Sequence, residues 1–292
     1  MTRAARVGDR LLLPEGRLPR VLIVGDPAKL VTAELAERVR KHLPGRAELL
    51  GVELERTLRP FRCEPDLLVV IGGDGALLAA TRRLGACRAP VLGVNVGTVG
   101  FLAGVAPPRV LAVLDLVLAG QGVVEERGML AYRVSRGGAL GEEAHVLNDV
   151  VVGRAPERGM CEVGLIDEGR SVTTYRGDGV IVSTATGSTA YNLAAGGPVL
   201  SPRLDAFVVT PIAPHMLGMR PLVLPGTRSI TLRLSEAAAL TADGRAEGLL
   251  AAGDEVRIGP SARRLMLIVD PEQRFYARLR SKLRWGEPPG PG

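Results

Sequence analysis

Aromatic residues make up only 3% of this 292-residue chain, and lysine occurs at just three positions, Lys29, Lys41 and Lys282. The formal charge of +6 rests on arginines scattered along the sequence. Without a Lys/Arg block and interleaved aromatics, no nucleic-acid partner is expected, and the positive balance favours anionic small molecules instead. Cys63, Cys87 and Cys161 are odd in number and lack CxxC spacing. That excludes a disulfide framework or a zinc site and leaves them as small, buried apolar residues. No uninterrupted apolar run approaches the ~20 residues of a membrane span, and none follows Arg3 and Arg6 as in a secretory leader. The chain reads as soluble and cytoplasmic, with no membrane partner. GxxxxGK[ST], GxGxxG and GxSxG are all missing, which counts against a P-loop enzyme, the usual dinucleotide-binding oxidoreductase and an α/β-hydrolase.

What is present begins with Leu67-Leu68-Val69-Val70-Ile71 running into Gly72-Gly73-Asp74-Gly75. A short apolar run stopped by glycines reads as a buried strand, and Ala76 to Leu84 is good helix material. Glycines there let phosphates approach backbone N–H groups at a helix start. A bare carboxylate at Asp74 would repel those phosphates, so it calls for a chemical role. Upstream, Val21 to Val24 ends at the turn Gly25-Asp26-Pro27. Thr32 is placed to cap a helix with Leu35, Val39 and Leu43 on one face, ended by Pro44-Gly45. Strand runs near 49–54 and 91–94 complete an alternation that predicts a parallel sheet flanked by helices. Pro107-Pro108 opens a helix through Val110, Leu111, Leu114 and Leu118, which stops near Gly120-Gln121-Gly122.

Hydrophobic residues, 46% of the total, are enough for a substantial core, and the length suits two domains. The texture changes at about residue 123 to short strands, including runs at 131–135, 146–152, 161–166, 172–175, 207–210 and 230–234. Asp167-Glu168-Gly169 and Asp243-Gly244 are expected hairpin turns. Asp270-Pro271 is expected to start a final helix with Phe275, Leu279 and Leu283 inward, and Arg274, Arg278 and Lys282 on a solvated basic face. Residues 287–292 are expected to fray.

Four further stretches carry candidate chemistry. Gly93-Val94-Asn95-Val96-Gly97-Thr98-Val99-Gly100-Phe101-Leu102 is a strand entering a second glycine loop, which in a parallel sheet would open on the same crevice as Asp74. An ordinary tight connection is the alternative there, and Phe101 reads as core or as a stacking platform. Asn148-Asp149 interrupts an apolar strand with an amide and a carboxylate suited to an adenine edge or ribose hydroxyls, or marks a strand-end turn. Ser183, Thr184, Thr186, Ser188, Thr189 and Tyr191 put six hydroxyls within nine positions, a donor-rich lining for a sugar–phosphate ligand. His215, after Pro211 and Pro214, reads as a structural or surface histidine. The only asparagines in the chain, Asn95, Asn148 and Asn192, all lie in these stretches.

Gly72-Gly73-Asp74-Gly75, the Asn95–Gly97–Gly100-Phe101-Leu102 loop, Asn148-Asp149, and Gly177-Asp178-Gly179 followed by Ser188-Thr189-Ala190-Tyr191-Asn192 together resemble the NAD kinases, in the right order over residues 20–285. The resemblance implies an α/β N-terminal domain with a parallel sheet, residues 1–122, completed by the C-terminal helix at 271–292. It also implies a β-rich, sandwich-like domain at 123–270 that binds NAD. The expected reaction moves the terminal phosphoryl group of ATP, or of polyphosphate, to the adenosine 2′-hydroxyl of NAD, with Mg²⁺ or another divalent metal carried by the donor and no metal site made from protein side chains alone. By likeness, Asp74 is catalytic, and Gly72, Gly73, Gly75, Asn95 and Gly97 form the donor loop. Gly75, Asn148, Asp149, Arg176, Asp178, Thr186, Thr189, Ala190, Tyr191 and Ala213 bind NAD, and Phe101, Asn192 and Arg245 are further pocket residues. A homodimer or homotetramer is also implied. The sequence departs from the family at Ala76, where a hydroxyl or amide residue is common, at Asp149, where glutamate is more usual, and at Arg245, where glutamine is often seen. A lipid or sugar kinase sharing the Gly-Gly-Asp-Gly turn and a non-catalytic NAD sensor are the rival readings.

Overall fold

The computed structural model describes residues 13–14, 16–26, 28–55, 57, 59–97, 100–156, 159–216, 218–272 and 275–283. Pro27, Thr98, Val99, Arg274, the arginines at 3 and 6 and the 287–292 tail lie outside the described residues. Two compact units divide the chain, residues 1–126 with 265–292, and residues 127–264.

The first unit follows the alternation in the sequence. In order come β1 (Arg20–Gly25), α1 (Leu30–His42), β2 (Glu48–Glu53), β3 (Leu67–Gly72), α2 (Asp74–Leu84), β4 (Val91–Asn95) and, after a 3₁₀ turn at Pro107–Arg109, α3 (Val110–Leu118). The strands run parallel in the order β4-β3-β1-β2. Every residue of β3 and β4 is buried, which is why both read as continuous apolar runs. Leu35, Ala36 and Val39 turn one face of α1 into the core, where Leu43 joins them, as their spacing predicts. Thr32 does not cap that helix: it lies buried inside the first turn, and Lys29 holds the cap position. A β-branched hydroxyl residue suits either place locally, and burial decided between them.

The second unit opens with β5 (Val123–Arg136), which crosses the boundary, then β6 (Ala139–Leu140), β7 (Ala144–Val146), β8 (Asp149–Arg154), β9 (Cys161–Asp167), β10 (Arg170–Gly177) and β11 (Gly179–Thr184). The short helix α4 (Tyr191–Ala194) precedes β12 (Ala206–Ile212), β13 (Leu222–Pro225), β14 (Ile230–Leu234), β15 (Ala238–Ala242), β16 (Arg245–Leu250) and β17 (Glu255–Val269). One sheet has the order β13-β12-β11-β8-β15-β16, while β10, β9, β14 and the start of β17 pair antiparallel in another. Alternate residues of both sheets meet in one apolar core that includes Val150, Val180, Val209, Leu165 and Leu232, the packing of a sandwich. Glu168-Gly169 and Asp243-Gly244 are two-residue hairpins in which all four residues have positive φ, the geometry that matches strand twist. The run at 146–152 is not one strand. It divides into β7 and β8 on either side of Leu147-Asn148.

β17 carries the chain back into the first unit, where Leu267 and Ile268 pair parallel with Val91 and Leu92. Asp270-Pro271 then forms a turn, with Asp270 accepting from the Glu272 N–H and gripping Arg109. The last helix, α5 (Phe275–Leu283), starts later than Pro271, because Asp270 is wholly committed to those partners. Its basic face is not all solvated, since Arg278 is buried with Leu279. Cys161 is buried, whereas Cys63 and Cys87 are half-buried and all three are free thiols. No helix among the described residues is long and apolar enough to cross a membrane.

Candidate functional site

The candidate residues fall into one set in the first unit and two in the second, at opposite ends of the β8–β11 pair. In the first, β3 ends at Gly72, Gly73 is extended as the helix cap, and Asp74 is the first residue of α2. Gly72 lies in register with Asn95 across the parallel β3–β4 pair, so both strand ends open on one side of the sheet. The Asn95 side-chain oxygen accepts from the Gly97 N–H at 2.9 Å, and the Val96 N–H donates to the Gly72 carbonyl at 3.2 Å. The two glycine loops are thereby tied together, as their order in the sequence leads one to expect.

Asp74 is not bare. Its carboxylate accepts three backbone N–H bonds from the other loop, from Phe101 at 2.9 Å, Leu102 at 3.1 Å and Ala103 at 3.0 Å. A Cβ on Gly100 would overlap that carboxylate, so glycine is required there for close approach. The loop is clamped in turn by Arg278, whose Nη1 donates to the Phe101 carbonyl at 3.0 Å and whose guanidinium fills the space a Cβ on Gly104 would take. Burial pulls the pKa of Arg278 below the usual arginine value, while the nearby charges of Glu125 and Asp74 oppose that. Phe101 is half-buried, with the Phe275 ring 6.4 Å away and Lys282 Nζ 4.6 Å from its centroid. Lys29, at the entrance to α1, is a further residue that sequence reasoning missed. Its Nζ lies 2.7 Å from where a Cβ of Gly97 would be and 3.9 Å from that of Gly73. The sole sequence signal was that lysine is so scarce.

In the second unit Asn148 and Asp149 stand at the start of β8, both buried. Asp243 holds them: from its left-handed turn it accepts the N–H groups of Leu147 at 3.0 Å, Asn148 at 2.7 Å and Asp149 at 3.3 Å. The sequence showed Asp243 simply as a turn residue. Burial, with the Asp243 charge beside it, pushes the Asp149 carboxyl up to about 7. Asn148 Oδ1 and Thr186 Oγ1 are buried with no hydrogen-bond partner among the described residues, and such an atom costs about 1–3 kcal/mol unless something supplies the bond. Gly187 lies directly on the Asn148 carbonyl, where any Cβ would collide, so the Thr186 turn and the Asn148 strand start are adjacent.

The hydroxyl-rich stretch is not a long loop and is not an open donor surface. It consists of β11, a 3₁₀ turn at Gly187–Thr189 and α4. Thr184 donates to the Leu147 carbonyl at 2.6 Å, Ser183 to the Asn148 carbonyl at 3.3 Å, Ser188 to the Ala185 carbonyl at 2.7 Å and Thr189 to the Thr186 carbonyl at 3.3 Å. These hydroxyls shape the turn because backbone carbonyls buried beside them need donors. Asn192 is fully buried, donates to the Ser188 and Pro198 carbonyls and accepts from the Thr210 hydroxyl at 2.6 Å. It is a brace behind the turn and not a pocket wall. Thr189 and Ala190 are half-buried, and Tyr191 is exposed.

Arg176, Asp178 and Ala213 come together where β10 and β12 end. The Asp178 N–H donates to the Ile212 carbonyl at 2.9 Å, and the His215 N–H donates to the Arg176 carbonyl at 3.0 Å. Gly177 is pressed against the Ala213 carbonyl, and Ala213 has positive φ. Arg176 already holds Glu162 at 2.6 Å, and Arg154 lies 3.6 Å from Asp178. His215 and Arg245 are exposed. Among the described residues no group of three or more His, Cys, Asp or Glu side chains is arranged to hold a metal ion.

Two family models match the chain, one described as the ATP-NAD kinase N-terminal domain over residues 21–122 and the other as the ATP-NAD kinase C-terminal domain over residues 147–269. The chain is 36% identical over 273 residues to an NAD kinase of Rhodopirellula baltica, covering 92% of this chain and 88% of the relative. It is 39% identical over 279 residues to an NAD kinase of Citrifermentans bemidjiense, covering 92% and 96%. Among solved structures it is similar to an NAD kinase from Archaeoglobus fulgidus in complex with ATP, with a TM-score of 0.70, 29% identity and coverage of 91% of this chain and 98% of that one. The yeast NADH kinase complexed with NADH shares the fold, with a TM-score of 0.85 at 24% identity and coverage of 96% and 94%.

Proposed function

The chain belongs to the NAD kinase family, and from that premise we propose that it transfers the terminal phosphoryl group of ATP to the adenosine 2′-hydroxyl of NAD, giving NADP and ADP. The observation that carries the reading is Asp74, a half-buried carboxylate between two glycine loops and oriented by three N–H bonds. A module that only bound NAD would gain nothing from a carboxylate beside phosphates. An acceptor hydroxyl has everything to gain from it. The 2′-oxygen forms its bond to the terminal phosphorus as the bond from that phosphorus to the β-phosphate oxygen breaks, and the hydroxyl proton passes to Asp74. Its orientation in advance spares the cost of fixing a flexible side chain in the transition state.

In this reading Asn148 and Asp149 hold adenosine, with the unpaired Asn148 oxygen and Thr186 hydroxyl completing their bonds on the ligand. Thr189, Ala190 and Tyr191 line the dinucleotide pocket, while Asp178 and Ala213 serve the other nucleotide half. Arg176 meets phosphate by sharing its guanidinium between the ligand and Glu162. A divalent ion such as Mg²⁺ suits this donor set if the phosphates of the donor bring it, with Asp26 beside Gly72 as the carboxylate offered by the chain. Its chemistry is to shield phosphate charge. Incubation of the purified protein with NAD, ATP and Mg²⁺ should yield NADP, read by an NADP-specific dehydrogenase. Binding of NAD without product would favour a sensor instead.

A further inference from the structure

We propose that Asp149 meets adenosine as a neutral carboxylic acid, donating its proton to an acceptor atom of the ligand, so that NAD binding is coupled to the protonation of this one group. This rests on the kinase reading above and deepens it, by stating which form of the site takes the substrate. Asp149 is the first residue of β8 and only 4% exposed. Its carboxyl makes no hydrogen bond or ion pair among the described residues. Beside it stand two more buried atoms in the same condition, Asn148 Oδ1 and Thr186 Oγ1. The elements packed around the strand start bring no cation. The β15–β16 turn contributes Asp243, a carboxylate fixed in place by the N–H groups of Leu147, Asn148 and Asp149. From β11 comes Ser183, in register with Asp149, whose hydroxyl is given to the Asn148 and Thr184 carbonyls. The turn before α4 lays Gly187 on the Asn148 carbonyl and carries Thr186, both uncharged. Asp243 is the one charge among the described residues that acts on Asp149, and with burial as the larger cause it keeps the proton on up to a pH of about 7.

The ligand favours the same form. A buried carboxylate without a donor or a cation costs several kcal/mol, and it would shed that cost by taking a proton. NAD brings a negatively charged pyrophosphate, which adds to the charge of Asp243 and holds the proton on more firmly. The neutral acid also completes the set of bonds. Asn148 Oδ1 can only accept, the Thr186 hydroxyl can do either, and protonated Asp149 supplies the donor that the other two do not guarantee. Adenosine offers donors and acceptors side by side, an amino group next to ring nitrogens on the base and hydroxyls on the ribose. Ionised, Asp149 would turn a second bare acceptor toward the ligand, and an acceptor atom placed there would find no proton. An aspartate, in place of the glutamate usual in the family, keeps the carboxyl one methylene closer to the buried strand start.

The test is calorimetric titration of NAD into the full chain at pH 6 and pH 8, in buffers of different ionisation enthalpy, for the wild type and Asp149→Asn, whose amide imitates the neutral acid. Wild type should bind NAD ~10-fold more weakly at pH 8 than at pH 6, and at pH 8 it should take up close to one proton per NAD bound. Asp149→Asn should bind with Kd values within ~2-fold of each other at the two pH values, take up no proton, and exceed the wild type in affinity at pH 8 by ~10-fold. Proton uptake is read on the wild type, so a misfolded variant does not void the test. A wild-type affinity that is flat from pH 6 to pH 8, proton release on binding, or a pH dependence that survives in folded Asp149→Asn would each overturn the proposal. Assaying NADP formation by the same wild-type protein separates the two readings. NADP made with a flat affinity would sink the neutral acid and keep the kinase, whereas proton-linked NAD binding without NADP would sink the kinase and leave the neutral acid standing.

Discussion

At the scale of single residues, Asp74 and Gly100 form a unit. Replacing Asp74 by Asn keeps the size but leaves one acceptor oxygen and places an NH₂ among the N–H donors of residues 101–103, so the group neither takes the proton nor keeps its pose. Asp74→Asn should lower kcat by ~100-fold or more while the Kd for NAD changes less than ~3-fold. Near-normal turnover in steady-state assays would remove Asp74 from the mechanism. Gly100→Ala tests orientation separately, since its methyl would displace an intact carboxylate; kcat should fall by at least ~10-fold, and an unaffected kcat would show that the pose is irrelevant. Asp149 gives a pH signature. Its folded value of about 7 lies above the ordinary 3.8, so between those values the unfolded chain ionises while the folded one keeps its proton. Stability therefore falls as pH rises through that window and levels off above 7, by ~4 kcal/mol at most. Urea unfolding at pH 5 and pH 8 should show this slope in wild type and a flatter one in Asp149→Asn; parallel slopes would contradict the assignment.

At the scale of elements, α5 reaches into the site through Arg278. Truncation to Ala leaves the Phe101 carbonyl without the Arg278 donor and removes one positive charge from near Glu125. Arg278→Ala should cost ~2–4 kcal/mol and lower kcat, because the loop that orients Asp74 loses its clamp. Chemical denaturation with kinetics on the folded fraction checks both, and a stability loss with unchanged kcat would confine Arg278 to structure. The sequence located α5 by its apolar spacing and put Arg278 on the wet face, since a 3.6-residue period separates faces and cannot say that a cation on the second face meets a carbonyl 177 positions away. Thr32 and the Asp270-Pro271 turn misled for a related reason. Residues that cap helices also fill interiors and bind arginines, and their neighbours choose.

At the scale of the whole molecule, the parallel alternation and the β-rich second half were legible because strand and helix periods are written locally, and two-residue hairpins announce themselves through Asp-Gly and Glu-Gly. Family membership carries the expectation of a homodimer or homotetramer. Sedimentation or light scattering of the purified protein should give a mass of two or four chains of 30.8 kDa, and a monomer at assay concentration would remove self-association from the reading. The candidate site was legible as a set of glycine turns and uncommon polar residues, and illegible in how those residues are used. Asn192 and the Ser183–Thr189 hydroxyls looked like ligand contacts, and most of their capacity goes to buried carbonyls.

The sequence by itself determined where strands stop on glycine, that Asp74 begins a helix there, and which family the chain resembles, because each is carried by adjacent residues. Only the tertiary structure decided that Asp74 is held by three amides, that Asp243 supports Asn148 and Asp149, that Arg278 is buried and that Lys29 stands over both glycine loops. Those partners lie from 27 to more than 170 positions apart in the chain, and a polar atom records no local sign of the distant group that will satisfy it.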